Sequence, residues 1–86
     1  MKKITIRYFA RLREQLGVEQ ETVEVADTVD SIAQLKEFLK NRGEPWQKAM
    51  TSAPSILVAV NQTMAPQTQI ISDGDEVAFF PPLTGG

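Results

Sequence analysis

Neither cysteine nor histidine occurs among the 86 residues. Their absence excludes disulfides, thiolate nucleophiles, the commonest zinc ligands and the side chain most often used as a general base near neutral pH. Chemistry at this chain must use carboxylates, hydroxyls, lysines or a chain terminus. Long apolar runs are missing too: the longest, Ile56-Leu57-Val58-Ala59-Val60, is far too short to cross a bilayer. Lys2 and Lys3 match the basic start of a signal peptide, but Thr5 and Arg7 break the apolar stretch that would have to follow. A cytoplasmic protein with no membrane partner is therefore expected. Positive charge is missing from the last 38 residues. No Lys or Arg follows Lys48, whereas Lys2, Lys3, Arg7, Arg11 and Arg13 crowd the beginning. A net charge of −2 argues against a nucleic-acid partner, and the asymmetry gives the molecule differently charged faces.

What is present is ordinary for a globular chain, with 42% apolar and 23% charged residues. The length suits one small domain that buries about 60–65% of its unfolded surface. Lys3-Ile4-Thr5-Ile6-Arg7-Tyr8 alternates with period 2, which predicts a strand with Ile4, Ile6 and Tyr8 inward and leaves Phe9 pointing out. Phe9 then either wraps back into the core or joins a sticky surface. Leu12 and Leu16, four apart and followed by Gly17, predict a short helix over 11–16. Glu21-Thr22-Val23-Glu24-Val25 alternates again, as a hairpin partner of the first strand.

Thr28 is the expected N-cap of the main helix, which runs over 29–40 with Ile32, Leu35, Phe38 and Leu39 on one stripe. Gly43 and Pro45 close it, and 44–50 allows one further helical turn. Trp46 reads as a cap on the edge of the core, or else as a binding residue. Residues 51–55 read as a polar loop. Ile56 to Asn61 reads as a central strand with both faces partly covered, Asn61-Gln62-Thr63 as a turn, and Met64 as the start of a short strand. Ser72-Asp73-Gly74-Asp75 turns the chain into the last strand, 76–80, with Val77 and Phe79 inward and Ala78 and Phe80 outward. The first and last strands are expected as parallel neighbours in the middle. This is an α+β roll of the β-grasp kind: a mixed sheet with one main helix across it and one or two short extra helices.

Regular structure should stop at Pro81, since proline fixes φ and has no N–H for a ladder. The expected organisation is a domain over 1–80 and an extended tail over 81–86, Pro81-Pro82-Leu83-Thr84-Gly85-Gly86, able to reach roughly 20 Å. Gly85 and Gly86 lack Cβ atoms, so a narrow channel can admit their backbone and bring a terminal carboxylate to a catalyst. By spacing alone this is either a reactive handle or a frayed end.

The terminal Gly-Gly, the Asp73-Gly74-Asp75-Glu76-Val77-Ala78-Phe79-Phe80-Pro81-Pro82 run, the Val60-Asn61-Gln62-Thr63 turn and the Tyr8-Phe9-Ala10-Arg11-Leu12-Arg13-Glu14 segment together resemble the family of small, sulfur-carrying subunits of molybdopterin synthase. Gly-Gly alone is shared with ubiquitin and other β-grasp proteins, whereas the Phe-Phe-Pro-Pro approach is more specific. The resemblance implies that an ATP-dependent adenylating enzyme similar to the ubiquitin activators activates Gly86, and that a sulfur donor protein then leaves a thiocarboxylate there. Residues 81–85 carry this group into the large subunit, and sulfur passes to cyclic pyranopterin monophosphate. It further implies an assembly of two large and two small subunits. Catalytic groups belong to the large subunit, including a lysine that can form an isopeptide with Gly86. No cofactor or metal is bound by this chain, and ATP belongs to the activating enzyme. Carried over residue by residue, the family's contact surface falls on Phe9, Met64 and Phe80, with Arg13 as a polar neighbour. Three other roles stay open beside it. They are a ubiquitin-like modifier of proteins, a sulfur carrier for thiamine or tRNA thiolation, and an interaction module without a reactive tail.

Overall fold

Alternating polarity makes the first strand. In the computed structural model, which describes residues 1–51 and 56–81, Lys2–Tyr8 forms β1 with Ile4, Ile6 and Tyr8 almost wholly buried. Gln20–Val25, as β2, pairs antiparallel with it and turns Val23 and Val25 to the same inner face. Arg11–Leu16, as α1, joins them and ends at Gly17, whose left-handed φ of 72° lets its N–H reach the Arg13 carbonyl.

Ile32–Lys40 forms α2 and presents Ile32, Leu35 and Leu39 to the sheet, with Phe38 at the margin of the core. Its cap is Ser31, not the expected Thr28. Ser31 Oγ accepts the Gln34 N–H at 3.3 Å while Gln34 Oε1 accepts the Ser31 N–H at 3.1 Å, a reciprocal box worth about 1 kcal/mol. Residues 29–31 are drawn off the helix by other bonds. Lys2 Nζ donates to the Val29 carbonyl at 2.9 Å and to Asp30 Oδ1 at 2.7 Å, and Ser31 bridges to Ile70.

Glu44–Thr51 forms α3, two turns where one was expected, and buries Ala49 and Met50. Pro45 stands in the first turn of this helix, as the sequence allowed, where a proline sacrifices no helical hydrogen bond. Thr51 thus belongs to the helix, and the rest of the expected polar loop, 52–55, lies outside the described residues. Trp46 caps the core edge. Its ring lies 5.6 Å from that of Tyr8, and the Arg42 guanidinium sits 4.2 Å above its face.

Leu57–Val60 (β3), Thr63–Met64 (β4) and Glu76–Phe80 (β5) complete a five-stranded sheet in the order β2-β1-β5-β3-β4. The parallel β1–β5 pair lies inside the sheet as expected. The central strand is β5. β3 lies between it and the two-residue β4, one place further out than the sequence suggested. Val77 and Phe79 are fully buried and Phe80 is half-exposed, but Ala78, expected outside, is only 7% exposed. Its methyl does face outward; with Arg7 opposite on β1 and Ala59 opposite on β3, so small a side chain is hidden from solvent without entering the core.

Candidate functional site

The strand ends that close the sheet also build an apolar concavity. Phe9 follows β1 and Phe80 ends β5, and the Phe9 N–H donates to the Phe79 carbonyl at 3.2 Å, extending the parallel ladder by one rung. The two rings consequently stack on the outer face, 4.8 Å apart and 11° from parallel. Leu57 is the β3 partner of Phe80 and is 39% exposed, and Met64 on β4 is 58% exposed. Together with Ala10 and Pro81 these residues line a groove of about 260 Å³. Exposed aromatics and a methionine around one depression make a surface suited to a protein partner, since Met adapts to irregular shapes and aromatic rings supply rigid contact area.

The residues carrying the sequence motifs hold this surface in place. Asn61 and Gln62 both have positive φ, 49° and 72°, as a two-residue hairpin turn requires. The Asn61 side chain locks that turn to β5, with Nδ2 donating to Asp75 Oδ1 and Oδ1 accepting the Glu76 N–H, each at 3.0 Å. Asp75 Oδ2 in turn accepts the Ser72 N–H at 2.8 Å, and Asp73 Oδ1 accepts the Lys3 N–H at 2.6 Å. Gly74, at φ 90°, completes a turn that few other residues can make. Asn61 and the Asp-Gly-Asp turn thus fix β4, and with it Met64, beside the groove. A second cavity of about 300 Å³ lies on the far side of Met64, where Asn61, Ser72 and Asp75 already satisfy one another.

Ala10 is under strain at the groove's edge. Its φ of 53° and ψ of −129° belong to a region that residues with a Cβ rarely enter. That conformation turns the chain sharply from β1 into α1 and leaves Phe9 on the outer face.

Of the contact residues named from the sequence, Phe9, Met64 and Phe80 converge. Arg13 does not line the groove; it lies exposed on α1, with Nη1 3.9 Å from Glu19 Oε1. Pro81 lines the groove, whereas Pro82, Leu83, Thr84, Gly85 and Gly86 lie outside the described residues. Sequence reasoning missed Leu57 and Ala10. Leu57 lies in an unbroken apolar run whose polarity sets no parity; in the structure Ile56 and Val58 face inward and Leu57 faces out. Among the described residues no group of acidic side chains is placed to hold a metal.

Opposite the groove, the inner end of β1 carries a polar cluster. Tyr8 Oη donates to Glu21 Oε2 at 2.8 Å, and Arg42 donates to both Glu21 oxygens at 3.0 and 2.9 Å. Burial, and then the bond to Glu21, push the Tyr8 hydroxyl well above its ordinary pKa, and the same carboxylate raises that of Arg42. This cluster ties β1, β2 and the segment after α2 together.

The chain is similar to known proteins in both sequence and fold. The molybdopterin synthase sulfur carrier subunits of Haemophilus influenzae and Escherichia coli are 36% and 37% identical to this chain, each over 96% of it and 99% of the relative. The protein–protein complex of subunits 1 and 2 of the molybdopterin-converting factor from Helicobacter pylori contains a chain of the same fold, with a TM-score of 0.63 at 17% identity over 98% of this chain and 99% of that one. The model of the ThiS family matches residues 6–86, and the chain belongs to that family.

Proposed function

We propose that this chain is the sulfur-carrier subunit of molybdopterin synthase, a donor without catalytic groups of its own, working in the cytoplasm. The observation that carries the reading is the full-length similarity to carrier subunits in a chain whose apolar groove opens at Pro81, the first residue of the Gly-Gly segment. A carboxylate is a poor electrophile because oxide is a poor leaving group. Adenylation of Gly86 by an activating enzyme that uses ATP replaces it with AMP, and a sulfur donor then displaces AMP to leave a thiocarboxylate. The chain needs no thiol for this, which suits its lack of cysteine. Pro81, Pro82, Leu83, Thr84 and Gly85 deliver the group to the large subunit, where sulfur passes to cyclic pyranopterin monophosphate, in an assembly of two large and two small subunits. Phe9, Met64 and Phe80, with Arg13 beside them, dock the domain against the large subunit. The Helicobacter pylori relative found in complex with subunit 2 supports that partnership.

Intact-mass measurement of protein isolated from cells containing the activating enzyme tests the proposal. Exchange of one oxygen for sulfur at Gly86 is expected, and deletion of Gly86 or Gly85→Val should abolish molybdopterin formation in a reconstituted reaction while thermal stability stays unchanged. Synthesis by the Gly86 deletion would refute the mechanism, and attachment of the chain to cellular proteins would favour a modifier instead.

A further inference from the structure

Arg7 stands out on the outer face of the sheet. It is half-buried on β1, its guanidinium carbon lies 5.1 Å from the Phe9 ring centroid, and its Nε is buried without any hydrogen-bond partner. The neighbouring strands explain why. Across β2 its register partner is Gln20, and across β5 it is Ala78; Lys3, by contrast, faces Glu24. No ion pair from Arg7 is present among the described residues, although Glu76 stands two residues along on β5, opposite Thr5. A buried N–H with no acceptor is a net cost in the free protein, and a guanidinium offers two parallel donors suited to a carboxylate. The ring beneath it belongs to the Phe9–Phe80 stack, so Arg7 adjoins the groove directly.

We propose that Arg7 is a specificity residue of the docking surface, receiving an Asp or Glu carboxylate of the synthase large subunit at the edge of the Phe9–Phe80 stack. This rests on the reading of the groove as the large-subunit interface, with which Arg7 is continuous. The negative charge is fixed by the guanidinium, and the protein source by the adjoining apolar rings, which a free anion would not use. The Phe9 ring lies against the guanidinium, and because Nε is covered in the free domain, the partner's carboxylate accepts from the two terminal Nη groups.

Calorimetric titration of the large subunit from the same organism into wild type, Arg7→Gln, Arg7→Lys and Phe80→Ala, at low and high salt, tests the idea. Arg7→Gln is expected to weaken binding about tenfold at low salt and to flatten the salt dependence of Kd. Arg7→Lys should restore the salt dependence but not the affinity, because an ammonium cannot make the paired contact. Unfolding midpoints of the three variants confirm that each is folded. If Phe80→Ala weakens binding while Arg7→Gln changes neither Kd nor its salt dependence, the groove reading stands and the Arg7 proposal falls. If neither variant matters, both fall. A loss confined to the activating enzyme would also overturn the assignment to the large subunit.

Discussion

Removing the Tyr8 hydroxyl gives a quantitative test of the polar cluster under β1. Tyr8 is only 1% exposed, and its hydroxyl donates to Glu21, whose two oxygens also receive Arg42. Tyr8→Phe deletes one charge-assisted bond but leaves Glu21 paired, so the cost at pH 7 should be about 1–2 kcal/mol. The pH dependence follows from the direction of the shift. The folded pKa lies above the unfolded value, so the stabilising contribution is fully present below about pH 10 and is lost as pH rises beyond it, at up to about 1.4 kcal/mol per unit. By pH 11 wild type should have lost about 1.4 kcal/mol that Tyr8→Phe never had, and the two stabilities should nearly meet. Lysines titrate in the same range, with Lys36 working in the opposite sense because burial lowers its folded pKa. Their contributions are common to both proteins and cancel in the difference. Urea unfolding followed by Trp46 fluorescence from pH 7 to 11 measures it. A wild-type minus Tyr8→Phe difference that stays constant across that range would refute the buried, bonded hydroxyl.

The groove and the strained turn yield two further expectations. Met64 has 58% of its surface free, and covering about 100 Å² of it has a ceiling of about 2.5 kcal/mol. The half-exposed Phe80 has less to offer, under about 70 Å² and 2 kcal/mol. Met64→Ala should therefore weaken large-subunit binding by about 1–2 kcal/mol with little effect on stability, whereas Phe80→Ala should cost about 1–2 kcal/mol in binding and also lower the melting temperature by removing the stack on Phe9. Calorimetry paired with thermal unfolding separates the two, and unchanged affinity in both variants would remove the groove from the interface. Ala10→Gly should raise unfolding stability by up to about 1 kcal/mol, since glycine adopts a positive φ freely, with part of the gain offset by the looser unfolded chain. A loss of stability in denaturant titration would mean that the Ala10 methyl matters more than its strain.

Much of the fold could be read from period-2 alternation, because each strand has one buried face. Ile4, Ile6 and Tyr8, or Val77 and Phe79, leave no other register open. The same parity turned Phe9 and Phe80 outward before any partner was considered. It failed for Leu57, where an unbroken apolar run conceals the alternation. The Thr28 cap failed for a different reason. Ser31-Ile32-Ala33-Gln34 carries a capping-box pattern, but Thr28 is a favoured cap residue too, and no proline or glycine separates it from Ile32. Only the long-range bonds from Lys2 to Val29 and Asp30 show that this segment is spoken for. Arg7 was illegible in principle. Its significance lies in what faces it across two strands, and that pairing is not written in local sequence.

The proposed site, a surface and the segment that follows it, places particular demands on the domain. β5 is bonded on both sides, to β1 and to β3, and the Phe9 N–H adds a further bond at its end. The position of Pro81 is therefore set by the centre of the sheet, the part of a small domain that opens last. The groove is built from the same strand ends, so a partner seated on Phe9, Leu57, Met64 and Phe80 also fixes where the following segment begins. Docking and delivery are then one geometric event. In the proposed role the aromatic surface serves to place the end of β5, and the chemistry of transfer would fall to the large subunit.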